Sequence, residues 1–252
     1  MILIEFKKVN FKMKEYAKLG YKVFLRNIGA TIMCFFLVIS LNVITVGTMS
    51  ETLGYKAYGT MKDTGKSEVL YDYYYADGED TERAKYEEMG YEISESKIIR
   101  VTKGGNIFFL ITTQFFCLML TSAFLYSLLW KEGLKDNNLV RFGHKKEDKL
   151  KGFKVGLIAA IPHFVFAIAL FVMRYFTKTD LSISLIEFLN SPIYSFVRLV
   201  LGEGSLLDLS LTCLIGYTLL GLIIPIVCGI CYIIGYKDIY LGDKILYKKK
   251  KS

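Results

Sequence analysis

Four long stretches of this chain contain no Asp, Glu, Lys or Arg: residues 27–50, 104–130, 155–173 and 209–236, with lengths of 24, 27, 19 and 28. About 20 apolar residues, at 1.5 Å each, cross a hydrocarbon core of roughly 30 Å. A charge placed at the centre of such a helix costs about 2.5–3.5 kcal/mol on insertion. Charged residues are 22% of the chain, which is ordinary, but hydrophobic residues are 53% and mean hydropathy is +0.36. The charges are therefore gathered into blocks between the windows. That pattern excludes an ordinary soluble globule and a disordered chain. It predicts an all-α membrane domain of four transmembrane helices.

The blocks set the orientation. With both termini inside, the inner segments 1–26, 131–154 and 237–252 hold 21 basic and 8 acidic residues, and the outer segments 51–103 and 174–208 hold 11 and 16. Lys and Arg next to spans favour the inner side, so both termini are expected there. The first window reads as a signal anchor, because its basic preface runs to Arg26 and no A-x-A site follows. The expected partner of the basic side is a bilayer with anionic inner-leaflet lipids, and the run Lys248–Lys251 reads as a lipid-facing anchor. No aromatic-interleaved basic module accompanies it, so nucleic acid is not expected. Residues 181–201 carry Glu187, Pro192 and Arg198, while Leu185, Phe188 and Leu189 share a helical face. They read as an amphipathic segment lying on the membrane rather than a fifth span.

Segment 51–103 is the longest between spans and predicts a small α+β outer module between the first two helices. Alternation over Ser67–Tyr75 indicates a strand with Val69, Tyr71, Tyr73 and Tyr75 on one face. Asp77-Gly78 reads as a turn, Glu79–Met89 as a helix ended by Gly90, and Tyr91–Thr102 as a second strand. A module of this size is marginal alone and is expected to depend on the span ends or a partner. Tyr71, Tyr73, Tyr74 and Tyr75 have two readings, a packed sheet face with interface-belt residues or an outward recognition surface.

The inner connection 131–154 reads as turn, short extended piece and turn over Lys135–His144, with a helix from Lys145 running into the third span. Gly152, Gly156 and Ala160 then recur every four residues, with His163 and Ala167 continuing that face. Such a stripe lets a second helix approach closely, and the short hairpin nominates the second span as neighbour. The loop Asp136-x-Asn138-x-Val140-x-Phe142-Gly143, the run from Gly152 to Ile158, and the closing run from Gly235 to Lys244 resemble a recurring group of uncharacterised four-span integral membrane proteins of Gram-positive bacteria. The resemblance covers the second half of the chain. It implies a bacterial cytoplasmic membrane and implies no activity.

Chemistry-bearing residues are few. His163 follows Pro162 near mid-span and reads either as a functional intramembrane group or as a side chain satisfied by neighbours. Asn42, Gln114 and Thr218 fall at similar depth, where they can bond across helices or line a polar path. Cys228-Gly-Ile-Cys231 has redox spacing but lies toward the reducing inner side. No hydrolase, zincin or P-loop motif is present, no window holds a carboxylate, and no cofactor or metal is expected. The expected function is a non-enzymatic subunit or accessory protein with an outward recognition module and a protein partner or second copy. An oligomeric transporter or channel component is the alternative, and a membrane thiol oxidoreductase stands third.

Overall fold

The computed structural model describes residues 2–61, 67–74 and 86–239. It is mostly helical with one small sheet. Helix α1 spans Ile2–Met49 and is followed by strands β1 (Ser50–Met61), β2 (Ser67–Tyr74) and β3 (Tyr91–Val101). Helices α2 (Lys103–Arg141), α3 (Lys151–Ala159), α4 (Ile161–Val172), α5 (Ile183–Leu189), α6 (Tyr194–Leu201), α7 (Leu211–Leu220) and α8 (Ile223–Tyr236) complete the order. Three helices are long and apolar enough to cross a membrane: Met13–Met49, Lys103–Arg141 and Leu211–Tyr236, the last comprising α7 and α8. Two bent pairs pass the same test when each is taken together, α3 with Ile161–Thr177 at 44° and α5 with Ser191–Leu201 at 99°. The chain divides into two compact units, Ile39–Ile111 and the remainder.

In the first unit the strands continue the helices. β1 starts at Ser50, directly after α1 ends at Met49, and β3 ends two residues before α2 begins. The Thr102 amide donates to the Met49 carbonyl at 2.9 Å, and the Thr102 hydroxyl caps α2 by accepting from the Gly105 amide at 3.1 Å. A Cβ at Gly105 would lie 2.8 Å from the Met49 Cβ, so glycine permits this close crossing. The sheet order is β2-β1-β3, both pairs antiparallel. The two strands anticipated from alternation are thus the edges, and the central strand is β1, which the sequence reading did not recognise. Bulges interrupt both registers, between Ala57 and Tyr58 and between Thr52 and Gly54. Residues 79–85 of the anticipated helix lie outside the described residues, while 86–88 are helical before the turn at Gly90.

In the second unit α2 does not stop at the expected turn. It continues through Asp136-Asn137-Asn138 to Arg141. Its end is a Schellman turn, in which the His144 amide bonds Leu139 at 2.9 Å and the Gly143 amide bonds Val140 at 3.0 Å. Gly143 adopts φ +73°, a value that favours glycine. Helix α3 then begins at Lys151, later than the expected Lys145. The α3–α4 bend falls at Ala160, where Pro162 brings no amide hydrogen for the carbonyl one turn back. One apolar cluster gathers Val23, Leu125, Leu129, Val155, Cys228 and Tyr232, and another gathers Leu170, Ile183, Ile186, Val197, Leu206 and Tyr217.

Candidate functional site

The small-residue stripe packs, and its partner is α8 rather than α2. A Cβ at Gly156 would sit 2.5 Å from the Pro225 Cα and 2.9 Å from the Cys228 Cβ, and one at Gly152 would collide with Tyr232. Helix α8 is also in close contact with α2, where Gly235 meets the Trp130 backbone and Gly133 meets the Tyr232 carbonyl. The helix joined to α3 by the hairpin is therefore not the one its glycines admit, because α8 lies against both. This contact also accounts for the C-x-x-C pair. Cys228 is the residue against which Gly156 packs, and Cys228 and Cys231 are buried, unjoined thiols.

Ala160 and His163 lie one turn further along and serve a different place. Ala160 is buried at the α3–α4 bend. The His163 ring lies against Gly221, whose Cβ would be 2.5 Å from the ring, and 4.7 Å from the ring centre of Tyr217. Its Nδ1 is 3.1 Å from Asn190 Oδ1 and its Nε2 is 3.1 Å from the Tyr217 carbonyl. The Asn190 amide nitrogen donates to the Ile186 carbonyl at 2.8 Å and to the Tyr217 hydroxyl at 2.9 Å, which turns its oxygen toward the imidazole. Both ring nitrogens therefore face acceptors. Three helix breaks meet here: Ala160 between α3 and α4, Asn190 after α5, and Gly221 between α7 and α8.

Segment 181–201 has a form the sequence did not suggest. Its helices turn through 99°, and the ends of the excursion are hydrogen-bonded together. The Ile183 amide bonds the Gly204 carbonyl at 3.3 Å, and the Leu206 amide bonds the Leu181 carbonyl at 3.0 Å. The anticipated face Leu185, Phe188 and Leu189 is exposed, while Ile183, Ile186 and Glu187 are buried. Glu187 pairs with Arg198 at 3.5 Å, and Arg198 also reaches Glu203. The Asn190–Pro192 vertex receives His163 and also Gln114, whose Nε2 donates to the Pro192 carbonyl at 3.2 Å.

The three polar candidates have different surroundings. Gln114 is buried at this vertex, Thr218 donates to the Leu214 carbonyl of its own helix at 2.8 Å, and Asn42 is exposed. Tyr71, Tyr73 and Tyr74 lie on β2 opposite Ala57, Tyr55 and Gly54, and Tyr75 lies outside the described residues. Lys248–Lys251 also lie outside them.

A charged cluster went unrecognised in the sequence. The Lys151 side chain is 1% exposed and holds Glu15 and Asp136, each at 2.7 Å. Lys145 holds the same two carboxylates at 3.0 and 2.8 Å, and the Tyr232 hydroxyl donates to Asp136 at 2.9 Å. Beside it the Tyr16 hydroxyl donates to Asp148 at 2.6 Å. Burial opposes ionisation of Glu15 and Asp136, but the hydrogen bonds from Lys151 and Lys145 outweigh it and hold both carboxyls below their usual range. Burial opposes the charge on Lys145 too, and its bonds to Asp136 and Glu15 raise its affinity for the proton. The cluster ties α1, α2, α3 and α8 together. Lys145 and Lys151, counted above among the basic residues of the inner segments, are paired within the protein, whereas Lys131, Lys135, Arg141 and Lys146 are exposed. Asp136 lies only 9 and 15 residues from Lys145 and Lys151, but Glu15 joins them across 130 and 136 residues and Tyr232 joins Asp136 across 96, and no local pattern carries those.

No protein-family model, curated protein or solved structure matches the chain.

Proposed function

We propose that this chain is a non-enzymatic, multi-pass protein of a bacterial cytoplasmic membrane, acting as a subunit or accessory protein of a membrane complex. In this reading α1, α2, the bent pair α3–α4 and the pair α7–α8 are the four spans, with both termini inside. Segment 181–206 enters and leaves from the outer side as a re-entrant hairpin, because its two ends are bonded to each other. Non-helical backbone at that depth is tolerated where protein buries it, and the bonds of Asn190 and Pro192 to His163 and Gln114 supply that condition.

One observation carries the accessory role. β1 and β3 are direct continuations of α1 and α2, so a partner held by the sheet pulls on the two longest helices. Asn42 supports it, since this amide is exposed among the exposed Val43 and Ile44, where a partner helix would satisfy it. The exposed inner lysines suit anionic lipid head groups. A second reading, a component of an oligomeric transporter, is favoured by the meeting of three helix breaks at His163, since discontinuous helices form substrate sites in many transporters. Light scattering of the complex extracted in mild detergent separates the two. The accessory reading predicts a complex of this chain with a different protein that dissociates in Asn42→Leu or when strands β1–β3 are replaced by a short linker. A closed ring of identical chains contradicts it and supports transport.

A further inference from the structure

A chamber of about 340 Å³ opens beside His163, between α1, the α3–α4 bend, the Asn190–Pro192 vertex and the Gly221 break. Among the described residues, no Asp, Glu, Lys or Arg lines it. Its polar lining is Asn27, Thr31, His163 and Asn190. The hydrogen-bond donors of the last three are spent. Thr31 donates to the Asn27 carbonyl at 2.8 Å, both His163 nitrogens are engaged, and the Asn190 amide nitrogen serves Ile186 and Tyr217. Asn27 Oδ1 is buried and has no hydrogen-bond partner among the described residues. An unpaired buried acceptor is unfavourable, so the site is short of a donor. Ile28, Ile32 and Leu189, also at the chamber, are exposed and apolar. The way in therefore passes through hydrocarbon rather than water.

We propose that this chamber binds the hydroxyl end of a neutral long-chain lipid, entering sideways from the bilayer between α1 and α5. This inference rests on the membrane reading above. Absence of charged residues disfavours an ion, since an unpaired ion is costly away from water. The same absence disfavours a phospholipid head group, whose phosphate is charged. A single neutral hydroxyl enters at small cost and donates to Asn27 Oδ1. The volume holds about ten heavy atoms, taking roughly 30 Å³ for each as for a water molecule, so the hydroxyl and the first part of its chain fit.

The test uses the full chain in phosphatidylglycerol vesicles and two photoreactive probes, hexadecanol and hexadecane, each bearing the same diazirine and alkyne. The alcohol should label peptides containing residues 24–32 and 159–166 about fivefold more than the alkane, the preference one net hydrogen bond gives. Asn27→Leu should abolish the preference, and Ala160→Leu, which fills the chamber, should reduce labelling by both probes. Equal labelling of the wild-type chain by alcohol and alkane overturns the proposal, as does a preference that survives both substitutions. A chain that washes off the vesicles in carbonate overturns the membrane reading itself. A chain that stays embedded but shows no alcohol preference overturns the lipid alone.

Discussion

At the residue scale, the strongest commitment is the charge cluster around Lys151. Asp136 is 3% exposed and accepts from Lys145, Lys151 and Tyr232. Removing one partner from a buried ion pair costs about 3–5 kcal/mol, because the charge left behind is uncompensated. Asp136→Asn leaves both lysines on Glu15, and Lys151→Met leaves both carboxylates on Lys145. Each should therefore lower stability in detergent by about 3 kcal/mol. Thermal unfolding of the two variants measures this, and wild-type melting temperatures would refute it. The pH dependence follows from the shifts. Glu15 and Asp136 titrate lower folded than unfolded, so their contribution is complete above about pH 4 and is lost as pH falls through the folded values. Lys145 holds its proton more tightly when folded, so its contribution is complete below about pH 10.4 and is lost as pH rises beyond that. The wild-type protein should show a stability plateau between these limits, and Asp136→Asn should flatten the acid arm.

At the element scale, close approach of α3 and α8 is the main packing claim. Gly156→Leu must push against the Pro225 backbone, where nothing flexible can yield. Overpacking of this kind costs about 1–3 kcal/mol. Phe171→Leu, at a half-exposed position toward the other end of α4, should cost less than half as much. A chain in which both substitutions shift melting equally would contradict the packing.

The elements also show what the sequence carried and what it did not. The long apolar helices were legible because a run of about twenty residues without charge is a local property. The outer parts of the sheet were legible from β-branched and aromatic alternation, as in Tyr91–Val101. β1 was not, because Gly54, Lys56, Ala57 and Gly59 have weak strand preference and are held by hydrogen bonds from both neighbours. Asp136-Asn137-Asn138 looked like a turn for the same reason in reverse. Propensity is a weak prior, and the anchoring of Asp136 by two lysines and a tyrosine overrides it. At 181–201, Glu187 and Arg198 suggested exposure to the interface, yet they satisfy each other. His163 was visible as an oddity, but its link to Asn190 and Tyr217 spans 27 and 54 residues, and only the fold reveals it.

At the scale of the whole molecule, the four-span topology we propose puts the sheet and both ends of 181–206 outside and the Lys151 cluster inside. A fifth crossing at 183–201 would place Lys178 and Glu203 on opposite sides. Single-cysteine reporters at Lys97, Lys178, Glu203 and Lys149, treated in intact cells with a membrane-impermeant maleimide, decide between them. We predict labelling at the first three from outside, and labelling at Lys149→Cys only after permeabilisation. Lys178→Cys and Glu203→Cys reacting from opposite sides, or Lys97→Cys and Lys149→Cys reacting from the same side, would contradict the account.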